Sequence, residues 1–164
     1  MDITAIIIAA KLLMFSMNPV EDSYIKEEYQ EYAEEISAEY NMCPELVIAI
    51  IERESSGRAN VSNESGTCHG LMQINLKWHG DRMERLGVTD LFDPYSNILV
   101  GVDFLAELFE RYEDTPMVLM TYNGTKSAKE RWESGEYTAY AIGVMERAEE
   151  LERLEEIKQL LNTE

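Results

Sequence analysis

The sequence predicts a mainly α-helical fold with one small β/loop segment around residues 61–75. Three observations lead there. Apolar residues recur at three- and four-residue steps over residues 21–40, 93–112 and 144–161, the period of an amphipathic helix. Helix-opening pairs (Cys43-Pro44, Asp93-Pro94, Thr115-Pro116) and closing residues (Gly57, Asn123-Gly124) punctuate the chain. Between them Gly66 and Gly70 bracket a turn, after which Leu71, Gln73 and Asn75 would point to one side of an extended segment and Met72 and Ile74 to the other.

Residues 3–17, ITAIIIAAKLLMFSM, form the longest apolar run, interrupted by Lys11. A spanning helix needs about 20 apolar residues. An export signal begins with positive charge, whereas position 2 is Asp2. For residues 1–20 three readings stay open: an atypical signal, a helix packed on the domain, or an interfacial anchor. Asn18-Pro19 closes the run, because proline disfavours helix in the residue before it. Residues 21–164 then read as one domain, in keeping with the total length.

Over residues 21–40, Tyr24, Ile25, Tyr29, Tyr32, Ala33, Ile36 and Tyr40 make a helical stripe among glutamates that read as a solvated face. In the next helix Pro44 suits the first turn and Gly57 the far cap, with Leu46 to Ile51 apolar throughout, so burial nearly all round is expected. At about 100° per residue, Glu54 aligns with Val47, Ile50 and Ile51, while Glu52 points to the opposite side. Desolvation raises a carboxyl pKa, and a carboxyl kept protonated is what a general acid requires. Spacing alone favours a plainer alternative, a helix-end Glu54 reaching water and pairing with Arg53 or Arg58.

Further on, Asp93 caps a helix running to about Tyr112 with Ile98, Val102, Leu105, Leu108 and Phe109 inward. A short helix follows Thr115-Pro116 and ends at Tyr122. Ala148, Leu151, Leu154, Ile157 and Leu161 stripe a C-terminal amphipathic helix, which packs on its own domain more often than it forms a coiled coil.

Composition sets outer bounds. With 32 acidic against 14 basic residues the net charge is −18, which lacks the cationic face that nucleic acid demands. Cys43 and Cys68 are too few for a disulfide scaffold and too far apart for a zinc knuckle, and both the bonded and free states stay open. No metal or cofactor is expected. His69 and His79 read as solvent or cap residues.

Glu54-Ser55, then Gly70-Leu71-Met72-Gln73, then Asn97 with Gly101, then Tyr122-Asn123, then Tyr140 with Val144 resemble the ordered motifs of the soluble lytic transglycosylase (SLT) domain. That domain has the lysozyme-like α+β fold shared with goose-type lysozymes. The pairs mean little singly; the ordered set is specific and spans roughly residues 36–151. The resemblance implies a peptidoglycan lytic transglycosylase, a carbon–oxygen lyase that splits the MurNAc-β-1,4-GlcNAc bond and leaves a 1,6-anhydroMurNAc end. It implies Glu54 as the lone acid and then base, with the substrate's C6 hydroxyl as nucleophile and its N-acetyl group assisting. This differs from the two-carboxylate glycosidase plan. Ser55, Met72, Gln73, Tyr122, Asn123 and Tyr140 are the implied substrate-binding set. Tyr140 approaches the acid, and Tyr137 is its competitor one helical turn away. Gly124-Thr125 departs from the family's usual Ala-Gly, which bears on loop shape.

The resemblance further implies peptidoglycan strands as partner and action in a bacterial or phage-targeted cell envelope, with room for an assembly partner. The atypical N-terminus leaves cytoplasmic synthesis with later release open, and the oligomeric state stays open, a monomer being favoured over a dimer through the C-terminal helix. The acidity predicts weak non-specific retention on anionic wall polymers and an added upward push on the Glu54 pKa. Two other functions compete. A goose-lysozyme-type hydrolase of the same bond would admit water, and a non-catalytic module would hold glycan or a partner and keep its function in Glu54→Gln.

Overall fold

Pro44–Ser55 forms the helix, α2, that fixes the rest of the arrangement in a computed structural model describing residues 11, 13 and 20–162. Pro44 occupies its first turn, and Ser56 (φ 54°) and Gly57 (φ 72°) both turn left-handed to end it. Every residue from Leu46 to Ile51 is buried, because α1 (Glu27–Glu39) covers one side and α7 (Ala139–Asn162) the other. The remaining elements are β1 (Cys68–His69), β2 (Ile74–Asn75), α3 (Leu76–Leu86), α4 (Pro94–Tyr112), α5 (Thr115–Tyr122) and α6 (Ala128–Ser134). Packing partners run α1 to α2, α2 to α7, α7 to α5, α5 to α4 and α4 back to α1, a closed ring around one core. The fold is the predicted one, mainly helical with a small antiparallel pair that sets Cys68 opposite Asn75 and His69 opposite Ile74.

Local chemistry explains most boundaries. Asp93 accepts from Ser96 N at 2.8 Å and Asp114 from Met117 N at 3.0 Å, capping α4 and α5. Helix α1 begins at Glu27 instead of residue 21. The carbonyls of Glu21 and Asp22 accept from Arg147 at 2.9 and 3.3 Å, so they are committed to α7 instead of a first helical turn. Helix α7 begins earlier than its stripe suggested, at Ala139, and Leu161 near its end is exposed.

Two helices, α3 and α6, were not expected. Residues 70–73 turn instead of extending, so Leu71, Met72 and Ile74 are all buried and the predicted alternation fails. Both thiols are free. The apolar run at the N-terminus lies outside the described residues except for Lys11, which pairs with Glu156 of α7, and Leu13.

Candidate active site

Glu54 sits on the last turn of α2, half-buried, on the wall of a groove of about 720 Å³. Tyr140, on the first turn of α7, donates its hydroxyl to Glu54 Oε1 at 2.6 Å. Burial raises the Glu54 pKa above the usual carboxylate range, and the Tyr140 hydrogen bond and the charge of Arg53 lower it by less. Arg53 is the charge that acts on this carboxyl, and its sign is opposite to the push expected from the acidic surface. Tyr140 is itself buried, and burial with the neighbouring Glu54 drives its pKa far up, so its hydroxyl remains a donor. Tyr137 is exposed and makes no such bond.

The Gly70-Leu71-Met72-Gln73 turn is locked opposite this pair by Asn97 of α4. Asn97 is fully buried; its Nδ2 donates to the carbonyls of His69 and Leu91 at 2.8 Å each, and its Oδ1 accepts from Met72 N at 2.8 Å. The fit is tight. A Cβ on Gly70 would lie 2.2 Å from Asn97 Nδ2, and one on Gly101 would lie 2.3 Å from Met72 Sδ. Tyr122, at the end of α5, donates to the Met72 carbonyl at 2.8 Å and stacks on Phe104 at 5.3 Å. Burial, with the nearby Glu54, raises the Tyr122 pKa well above the ordinary value.

Along the groove from Glu54, α3 and α4 supply a charged wall. Arg82 Nε donates to Asp103 Oδ2 at 2.7 Å, its Nη2 bonds Glu107, and its guanidinium lies 5.0 Å from the Phe104 ring. Arg85 adds bonds to Asp103 at 2.6 and 3.1 Å, and Tyr40 another at 3.1 Å. Burial pushes the Asp103 carboxyl up, but Arg85, Tyr40 and Arg82 outweigh it and hold the pKa below its usual value. His79 is buried against Phe104 at 4.4 Å instead of lying in solvent, and burial with Arg82 pushes it down to about 4.

Of the expected site residues, Glu54, Gln73, Tyr122 and Asn123 line the groove, and Tyr140 reaches it through Glu54. Gln73, at φ 49°, spends its amide nitrogen on the carbonyls of Gly70 (2.9 Å) and Val61 (3.3 Å). Two assignments need correction. Met72 is 0% exposed, because the bare Cα of Gly101 draws its thioether into the core, and only its backbone serves the site. Ser55 is 1% exposed and bonds Ile51 O at 3.2 Å, so it has no surface to offer a ligand.

Sequence reasoning missed the buried Glu52. Its Oε1 accepts from Ser23 Oγ at 2.7 Å and its Oε2 from Arg147 Nε at 2.8 Å. It also missed the wall of Trp78, His79, Arg82 and Phe104. The polar, capped stretch from Asn75 to Gly87 was the available signal, since Asn75 accepts from Lys77 N and Gly87 turns left-handed.

A mostly helical ring with a two-stranded hairpin, and a groove with a half-buried acid at a helix end, define the lysozyme-like class of fold. The chain belongs to the transglycosylase SLT domain family, whose sequence model matches residues 31–143. It is 38% identical over 88 residues to a transglycosylase of Enterobacteria phage PRD1, which covers 54% of this chain and 31% of that protein. It is 30% identical over 102 residues to membrane-bound lytic murein transglycosylase F 2 of Alkalilimnicola ehrlichii, covering 58% and 22%. The chain thus matches less than a third of the length of either relative. The fold is similar to that of an inactive Glu-to-Gln mutant of lytic transglycosylase Slt from Pseudomonas aeruginosa, with a TM-score of 0.58 at 16% identity over 80% of this chain and 24% of the other.

Proposed function

We propose that this protein is a peptidoglycan lytic transglycosylase in which Glu54 serves first as acid and then as base. The observation that carries the reading is the half-buried Glu54 carboxyl on the groove wall, with its pKa raised by burial and Tyr140 at 2.6 Å. In the first step the protonated Glu54 gives its proton to the glycosidic oxygen, and the C1–O bond to the departing GlcNAc breaks. In the second, the Glu54 carboxylate takes the proton of the MurNAc C6 hydroxyl as that oxygen bonds C1. Atoms balance without water, and Glu54 ends protonated.

The Tyr140 hydroxyl, kept as a donor, stabilises the carboxylate between the two steps and aims it. The ring of Tyr122 and the amides of Gln73 and Asn123 border the space a sugar would fill. The other acid of the groove, Glu107, is bound by Arg82 and Arg111, which leaves Glu54 as the carboxyl suited to proton transfer and favours a nucleophile brought by the substrate. The names of the two relatives, and a fold neighbour inactive after a Glu-to-Gln exchange, support the same activity.

Peptidoglycan is the proposed substrate, and the cell envelope, in a bacterium or under phage attack, the site of action. No helix among the described residues is long and apolar enough to cross a membrane. Mass spectrometry of fragments released from purified peptidoglycan tests the reaction. Anhydro products, lighter by one water than hydrolysis products, are expected. Reducing-end products would instead assign a hydrolase of goose-lysozyme type, and no release at all would remove the enzyme reading.

A further inference from the structure

The end of the groove away from Glu54 carries a charge unlike that of the rest of the molecule. Phe104, Glu107 and Arg111 line it from one face of α4, spread over about 10 Å at the helical rise. Phe104 stacks on Tyr122 and so marks the end nearer Glu54, while Arg111 marks the far end. The chain has a net charge of −18. Here, however, Arg82 and Arg111 outnumber Glu107, His79 is neutral because burial and Arg82 push it down to about 4, and burial biases Glu54 toward its uncharged acid.

The two cations differ in what they have left to give. Arg82 is enclosed by Asp103, Glu107, His79 and the Phe104 ring, and its role is structural. Arg111 has a side chain 56% exposed and makes one hydrogen bond among the described residues, from Nη2 to Glu107 Oε1 at 2.9 Å. Guanidinium carries five N–H donors in a planar fork suited to a carboxylate, so most of that capacity is available. An anionic polymer repelled by the surrounding acids would find its electrostatic register at this point.

We infer that the Arg111 end of the groove is a carboxylate-binding subsite that takes the acidic substituent on the lactyl ether of muramic acid. The inference rests on the lytic transglycosylase reading. MurNAc bears that lactyl group and GlcNAc does not, so capturing it would set which of the two sugars lies on each side of Glu54. The carboxylate has two sources, the stem peptide or the free lactyl acid.

Binding to Glu54→Gln protein, which leaves strands uncut, tests this with three probes of matched length. They are peptide-bearing strands, strands stripped by an amidase to the free lactyl carboxylate, and a chitooligosaccharide with no carboxylate. Adding Arg111→Gln should lower the affinity for anionic strands relative to the chitooligosaccharide by about two- to fivefold, the worth of an exposed charge-assisted contact. Arg111→Lys should restore part of that ratio. A fall confined to peptide-bearing strands assigns the stem-peptide carboxylates, a fall confined to the stripped strands assigns the free lactyl acid, and a fall on both assigns a subsite that takes either carboxylate. An unchanged ratio overturns the subsite while leaving the glycan reading intact. Failure of Glu54→Gln protein to bind any of the three overturns that reading and the subsite with it.

Discussion

Two glutamates two positions apart on α2 have opposite fates. Glu52, 7% exposed, is the deeper of the pair, and it is clasped by Arg147 and Ser23 in an ion pair that ties α2 to α7 and to the segment before α1. Glu54 is less deeply buried, has no guanidinium bonded to it, and opens on a groove with a tyrosine hydroxyl as its partner. Depth alone therefore does not make a proton donor. A carboxyl compensated by a cation is a structural staple, whereas one that is desolvated, uncompensated and next to open space is suited to gain and lose a proton. The staple also serves the proposed donor indirectly, because α2 carries Glu54 and α7 carries Tyr140.

Exchanging Glu54 for Gln should give the largest effect, a fall in peptidoglycan clearing of about 10²- to 10⁴-fold, the usual worth of acid–base catalysis. The fold should survive. Burial raises the Glu54 pKa, so the folded state prefers the protonated form, and stability is lost as pH rises through that pKa. Gln does not ionise, so the variant should melt at or above the wild-type temperature at neutral pH. Retained clearing, or collapse on heating, would erase the contrast with Glu52.

Glu52→Ala should do the reverse. Removing one partner of a buried ion pair costs about 3–5 kcal/mol, to be read from urea unfolding, while turnover measured well below the midpoint persists. A folded but inert Glu52→Ala would show that staple and donor are not separable.

Much of this contrast was legible in the sequence, and the illegible part has a physical cause. The Glu54-Ser55 pair, the glycine turn and the tyrosine near residue 140 are local marks in fixed order. Glu52 was read as facing away from the buried side because helical spacing describes one helix, whereas its partners Ser23 and Arg147 lie 29 and 95 residues away along the chain. Helix α3 escaped because its buried residues are His79 and Met83, one of them polar, which leaves almost no apolar stripe. Met72 was assigned to the cleft by the resemblance alone, which matches positions and not packing. Gly70 (φ 77°) and Gln73 (φ 49°) turn that stretch, and the bare Cα of Gly101 leaves room for the Met72 thioether in the core.

Tyr140→Phe should cost about ten- to a hundredfold in turnover, the range for a hydrogen bond to a charged group. The lost bond favoured the carboxylate, so the high-pH limb of the activity profile, where Glu54 ceases to be protonated, should move upward. A downward move would mean that the bond serves the protonated acid instead. A smaller effect is expected at the lock behind the groove. Gly101→Ala places a methyl against the Met72 thioether and should cost about 1–3 kcal/mol by overpacking, measured as a shift in the urea midpoint. No loss would mean that the Met72 thioether moves aside freely.

The most direct test is the titration of the Glu54 carboxyl itself, followed by carbon-13 NMR of the carboxyl carbons and assigned by its disappearance in Glu54→Gln. The account predicts a midpoint above the ordinary glutamate range in the free protein and a further rise in Tyr140→Phe. A Glu54 that titrates at or below the ordinary value would contradict it.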